Sequence, residues 1–128
     1  MSDSTKKILY IDDNQDHLLI VASMLKREGY DCDTFSNPEK GLQAALTNDY
    51  ALILVDMQMP KVSGIDLLNQ LKERREATGF KIIAITADST VFSRQNPYAL
   101  GFDGYLSKPI MPMDLSQMVK RFMTATTD

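Results

Sequence analysis

The 128 residues include one cysteine, one histidine and no tryptophan. A lone cysteine permits no internal disulfide and argues against a cysteine-based metal site. Cys32 stands in the alternating stretch Asp31, Cys32, Asp33, Thr34, Phe35, which reads as a strand carrying a small buried thiol rather than a reactive one. Basic runs are also missing. The densest, residues 72–75, is interrupted by Glu73 and followed by Glu76, the pattern of a solvated helix face. With a formal net charge of −3, no electrostatic case exists for direct binding to nucleic acid or to an anionic membrane. The polar residues 1–7 lead only into the short apolar run 8–11, too brief for a signal peptide. No stretch is long enough to span a bilayer, so a cytoplasmic location is expected. Neither a G-x-G-x-x-G loop nor a P-loop is present.

The chain does hold short apolar runs alternating with amphipathic segments. Its length suits one domain over residues 1–128, with a core from roughly 6 to 123 and polar tails. Ile8, Leu9, Tyr10 and Ile11 form a first strand, stopped by Asp12 and Asp13. A helix follows with Leu18, Val21, Ala22 and Leu25 at i, i+3, i+4 and i+7, closed by Lys26, Arg27 and Gly29. Residues 31–35 form the second strand. Asn37 then caps a second helix with Pro38 at its first position. Ala51, Leu52, Ile53, Leu54 and Val55 make a central strand buried on both faces, ending at Asp56. Beyond Pro60 and Gly64, a third helix turns Ile65, Leu68 and Leu71 inward. Residues 81–85 form a fourth strand ending at Thr86, Ala87 and Asp88. Residues 104–106 form a fifth, ending at Lys108 and Pro109. A last helix from Pro112 places Leu115, Met118, Val119 and Phe122 on one face. Five β–α units without hairpin signals imply an α/β fold, a doubly wound parallel sheet of five strands with helices on both sides.

Ligands of such open sheets bind beyond the carboxyl ends of the strands, and here those ends are polar. Asp12, Asp13, Asp56, Thr86 and Lys108 should share one edge. Each alone has a bland explanation as a helix cap, a satisfied hydroxyl or a solvated lysine. Together they do not, because three adjacent carboxylates repel unless a cation neutralises them. Hard oxygen ligands favour Mg²⁺ over zinc. With an ammonium and a hydroxyl added, the set supplies what phosphoryl transfer needs, with Asp56 as nucleophile.

Five markers in order make the resemblance specific: Asp12 and Asp13; Asp56, Met57, Gln58, Met59 and Pro60 with Gly64; Thr86 and Ala87; Tyr105; and Lys108 and Pro109. The sequence resembles the receiver domain of two-component response regulators, above all its single-domain, chemotaxis-regulator type, over residues 6–122. The resemblance implies a flavodoxin-like sheet of order 2-1-3-4-5 with five helices. It implies Asp56 as phosphoacceptor, Asp13 and Asp56 as direct Mg²⁺ ligands with the Gln58 main-chain carbonyl, and Asp12 acting through a water. Lys108 would contact the phosphoryl group. Thr86 and Tyr105 would form the switch pair, the hydroxyl moving toward the phosphate as the ring swings inward. The Lys108–Pro109 peptide would be cis. Implied partners are a histidine kinase or histidine phosphotransfer protein and a downstream target protein. The chain would act as a monomer or a phosphorylation-dependent dimer. Activity of its own would extend only to self-phosphorylation from phosphodonors and autodephosphorylation.

Met57, Gln58 and Asp88 occupy positions that tune the site, with Met57 a candidate to cover it. His17, in the first turn of the first helix, reads as an exposed polar residue and not a phosphate carrier; Asp16 favours the helix N-terminus. Residues 89–100 should form the fourth helix, yet Pro97 stands inside it. Proline removes a backbone hydrogen bond and clashes with the preceding turn. The helix is therefore expected to be short, kinked or broken near Asn96, altering the surface that such domains use for output. The start Met1, Ser2, Asp3 favours a stand-alone protein over a receiver cut from a larger one, and no output domain is expected after the last helix. The competing reading is an aspartyl-nucleophile phosphatase or phosphotransferase acting on small molecules. Such enzymes place a second acid two residues after the nucleophile, where Gln58 cannot serve.

Overall fold

The computed structural model describes residues 7–88, 90, 92 and 96–124. Along them run β1 (Lys7–Ile11), α1 (Gln15–Arg27), β2 (Asp31–Phe35), α2 (Pro38–Thr47), β3 (Leu52–Asp56), α3 (Gly64–Thr78), β4 (Lys81–Thr86), α4 (Pro97–Leu100), β5 (Gly104–Ser107) and α5 (Pro112–Thr124). Every strand pair is parallel and the sheet order is β2-β1-β3-β4-β5, as expected. No helix among the described residues is long and apolar enough to cross a membrane.

The core is two layers because successive strand residues face opposite ways. Leu9, Ile11, Ile53, Val55, Ile82 and Ala84 point to one face, where Ala44 and Ala45 of α2 and Leu67, Leu68 and Leu71 of α3 cover them. Ile8, Tyr10, Leu52, Leu54, Ile83 and Ile85 point to the other, covered by Leu18, Val21 and Leu25 of α1 and by Leu115, Val119 and Phe122 of α5. The helical spacing read from the sequence is the spacing that packs. Leu67 joins the third helix's inward set, while Ile65 lies only partly inside.

Helix starts follow local chemistry. The Asn14 and Asn37 side chains cap α1 and α2, and Ser63 and Asp66 form a reciprocal capping box on α3. At Asn96 the backbone is extended (φ −69°, ψ 122°), its side chain caps α4, and Pro97 is the first residue of that helix. Helix therefore does not run through Pro97. The missing amide of a proline does no harm at a first helical position, where no intrahelical bond is due. The rest of the expected fourth helix falls partly on residues 89, 91 and 93–95, outside the described set.

Gly64 fixes how closely α3 approaches the end of β3. A Cβ there would lie 2.8 Å from the Met57 sulfur and 3.1 Å from the Asp56 carbonyl oxygen. Gly64→Ala is expected to cost about 1–3 kcal/mol through overpacking, measured by urea unfolding. An unchanged midpoint would show that Met57 simply moves aside.

Candidate functional site

From β1 the chain travels out to β2 through α1, then returns through α2 to β3 on β1's other side. The connections that leave β1 (through α1 to β2) and β3 (through α3 to β4) run to opposite sides, which opens a crevice at the carboxyl ends of these two strands. Asp12 follows β1, and Asp56 is the last residue of β3. Both are buried, at 0% and 2% exposure, whereas Asp13 faces solvent. One carboxylate oxygen from each of the three comes together, all within 4.8 Å of one another.

Lys108 joins them from the end of β5. Its Nζ lies 2.9 Å from Asp12 Oδ2 and 3.3 Å from Asp56 Oδ2. The backbone holds it in register: the Lys108 amide donates to the Thr86 carbonyl at 2.7 Å, and the following Lys108–Pro109 peptide is cis. One ammonium thus bridges two buried anions.

The two acids differ in character. Burial alone would raise the Asp12 carboxyl, but donors outweigh it: the Tyr10 hydroxyl, the Asn14 amide at 2.9 Å and Lys108 hold it below the usual carboxylate range. Asp56 has fewer donors, mainly the Gln58 amide at 3.1 Å and Lys108. Burial and the neighbouring Asp12 charge push it up to about 6. Asp12 is the committed anion and Asp56 the one poised to exchange charge.

Sequence reasoning missed Tyr10. Its buried hydroxyl donates to Asp12 Oδ2, and burial followed by the Asp12 charge drives its own ionisation far upward, so it remains a donor. The available signal was period-two alternation, since residues 10 and 12 share a side of the strand. Tyr10→Phe is expected to destabilise the protein by roughly 1–2 kcal/mol at neutral pH. Asp12 is depressed in the folded state, so its contribution exists above the ordinary carboxylate range and is lost as pH falls through the lowered value. Removing the donor should therefore move the acid-unfolding midpoint to higher pH. An unshifted acid titration monitored by circular dichroism would contradict this.

Other expectations come out differently. His17 is only partly exposed. Its Nδ1 is covered, lies 3.6 Å from Asp12 Oδ2 and makes no hydrogen bond among the described residues. α1 begins beside the crevice, which sets one ring nitrogen toward Asp12 while the rest of the side chain stays partly in solvent. Met57 does not lid the site; it is buried within the core layer that contains Leu67 and Leu68. Its amide donates to the Ile85 carbonyl at 2.8 Å, tying the residue after Asp56 to β4.

At the end of β4, Thr86 is fully buried. The Thr86 hydroxyl lies 3.1 Å from Gln58 Oε1 and 3.1 Å from the Asp88 carbonyl, and it accepts from the Asp88 amide at 3.0 Å. The Asp88 side chain turns away, accepting from the Thr90 amide at 3.0 Å. Tyr105, on β5, is 38% exposed and packs against Phe92 in a tilted arrangement, ring centroids 4.9 Å apart and planes at 56°. The ring is outside in this structure.

A family model for the response regulator receiver domain matches residues 8–120. The alkaline phosphatase synthesis transcriptional regulatory protein PhoP of Bacillus subtilis is 34% identical over 118 residues, covering 92% of this chain and 48% of that protein. The chain thus spans about half the length of that curated relative. A CheY-like response regulator receiver domain protein of Methanospirillum hungatei superposes with a TM-score of 0.83 at 28% identity, covering 94% of this chain and 95% of that one. The response regulator TrrA of Thermotoga maritima, solved in complex with Mg²⁺-BeF, gives a TM-score of 0.81 at 30% identity, covering 92% of this chain and 99% of that one.

Proposed function

The chain belongs to the response regulator receiver domain family, and from that premise we propose that Asp56 accepts a phosphoryl group from a histidine kinase or histidine phosphotransfer protein. The observation that carries the reading is the pair of unlike buried carboxylates bridged by Lys108. An Asp56 carboxylate oxygen bonds to phosphorus as the donor's bond to phosphorus breaks, and the electron pair leaves with the donor. Asp12 stays ionised throughout and keeps Lys108 at the site. The Lys108 ammonium moves from pairing with the Asp56 carboxylate to pairing with the phosphoryl oxygens, and the Thr86 hydroxyl supplies a further donor.

The residues present fit Mg²⁺, because the converging donors are carboxylate oxygens without nitrogen or sulfur. Asp12, Asp13, Asp56 and the Gln58 main-chain carbonyl would hold it; when bound it neutralises charge on the phosphoryl oxygens. A small-molecule phosphatase remains disfavoured. Gln58 is an amide and cannot act as general acid, and its oxygen is engaged with Thr86 and Ala87.

Intact mass measured after incubating the chain with Mg²⁺ and acetyl phosphate tests the assignment. Wild type should gain a hydroxylamine-labile phosphoryl group and Asp56→Asn should not; an equal gain in the variant overturns it. Following radiolabel from the phosphorylated chain onto candidate proteins then separates a terminal regulator, which changes partner affinity, from a relay intermediate, which passes the group to another histidine.

A further inference from the structure

The Gln58 side chain crosses from the loop after β3 to the end of β4. Its Oε1 accepts from the Ala87 amide at 3.2 Å and lies 3.1 Å from the Thr86 hydroxyl. The amide N–H can only donate, so the carbonyl end of Gln58 must face this pair, and the hydroxyl donates into it. The same hydroxyl already accepts from the Asp88 amide, with the Asp88 carbonyl as a second acceptor. Its one proton is thus committed to Gln58 or to Asp88. Neither direction is toward Asp56.

We infer that Gln58 is a latch on Thr86: it holds the hydroxyl and the Thr86–Ala87 backbone in a resting position that must be released before Thr86 can donate to a phosphoryl oxygen on Asp56. The inference deepens the phosphoacceptor reading and rests on it. Gln58 then acts twice, through separate atoms. Its main-chain carbonyl would serve the metal, as proposed above, while its side chain opposes the response of β4. A residue that stabilises only the unphosphorylated arrangement weakens the response by its own contact energy, because an equilibrium shifts only by a difference between states. One neutral hydrogen bond corresponds to about a three- to tenfold change in that equilibrium. Gln58 is exposed while Thr86 is buried, so the latch can be removed without opening the core.

Gln58→Met keeps the length of the side chain and deletes the acceptor. Two readouts apply, in wild type and variant: hydrogen exchange of the Ala87 amide without phosphodonor, and affinity for beryllium fluoride in the presence of Mg²⁺. Ala87 should exchange about three- to tenfold faster in Gln58→Met, and beryllium fluoride should bind tighter by a similar factor. In a Thr86→Ala background, adding Gln58→Met should change that affinity less than about twofold, since the gain acts through the hydroxyl. Unchanged Ala87 exchange, or an equal gain in affinity without the Thr86 hydroxyl, overturns the latch. If wild type fails to bind beryllium fluoride with Mg²⁺ while Ala87 exchange accelerates as expected, the acceptor reading falls and the latch contact stands.

Discussion

Asp56→Asn is expected to abolish phosphoryl uptake and, in metal-free buffer at neutral pH, to unfold at a higher temperature than wild type. The two effects share one cause. The carboxylate that makes Asp56 a nucleophile is buried beside the Asp12 charge, which pushes its pKa up to about 6, whereas an exposed aspartate ionises near 4. A carboxyl raised in the folded state favours folding while protonated, and that advantage is lost as pH climbs from about 4 through about 6. At neutral pH, ionised Asp56 therefore works against the fold. Asparagine removes the charge, keeps an oxygen for the Gln58 amide and leaves Lys108 paired with Asp12. The expected gain is on the order of 2 kcal/mol, or roughly 6 °C for a domain of this size. It should vanish near pH 4 and reach a plateau above pH 6. Added Mg²⁺ should stabilise wild type more than the variant and narrow the gap, since a ligand stabilises the state that binds it. A variant no more stable than wild type across this range would show that the Asp12–Asp56 repulsion is fully relieved by Lys108.

Lys108→Met should do the reverse and unfold more easily by about 3 kcal/mol in metal-free buffer at neutral pH. Lys108 is the one cation bonded to both buried acids among the described residues, at 2.9 and 3.3 Å, and its own side chain is only 13% exposed. Removing one partner of a buried ion pair leaves an uncompensated charge, which costs about 3–5 kcal/mol. The lower end applies because Asp56 can shed its charge by taking up a proton. That escape predicts a pH dependence: Lys108 holds the Asp56 carboxyl down at about 6, so without it Asp56 takes up its proton at higher pH, and the deficit should shrink as pH falls toward about 6. Mg²⁺ should restore part of the loss, but phosphoryl uptake should stay slow, because the ammonium that would meet the phosphoryl oxygens is gone. Urea unfolding with and without Mg²⁺ gives the stability, and intact mass against time gives the uptake. Wild-type stability in metal-free buffer would mean the two acids do not depend on Lys108.

Much of the fold could be read from local patterns. The apolar runs at residues 8–11, 51–55 and 81–85 could be strands and little else, and Asn37 with Pro38 announced a helix start. Helix spacing placed Leu18, Val21 and Leu25 on one buried stripe. Asn96 and Pro97 are a case where the rule was right and the outcome more specific, since the proline begins a helix instead of bending one. What could not be read was which strand residues share a layer with which helix. That depends on crossovers between distant segments, and local periodicity carries no information about them.

The site divides along the same line. Asp12, Asp13, Asp56, Thr86 and Lys108 were visible because each follows an apolar run, and parallel strands deliver all such ends to one edge. Sequence by itself determined that inventory and its likeness to the receiver family. Tertiary structure alone decided how the members differ. It buried Asp12 under the Tyr10 hydroxyl and left Asp13 in solvent; it set Lys108 between two acids and turned Gln58 onto Thr86. The physical reason is that a residue's type sets what it can donate or accept, while its charge state and partner depend on neighbours a few ångströms away that are dozens of residues distant along the chain.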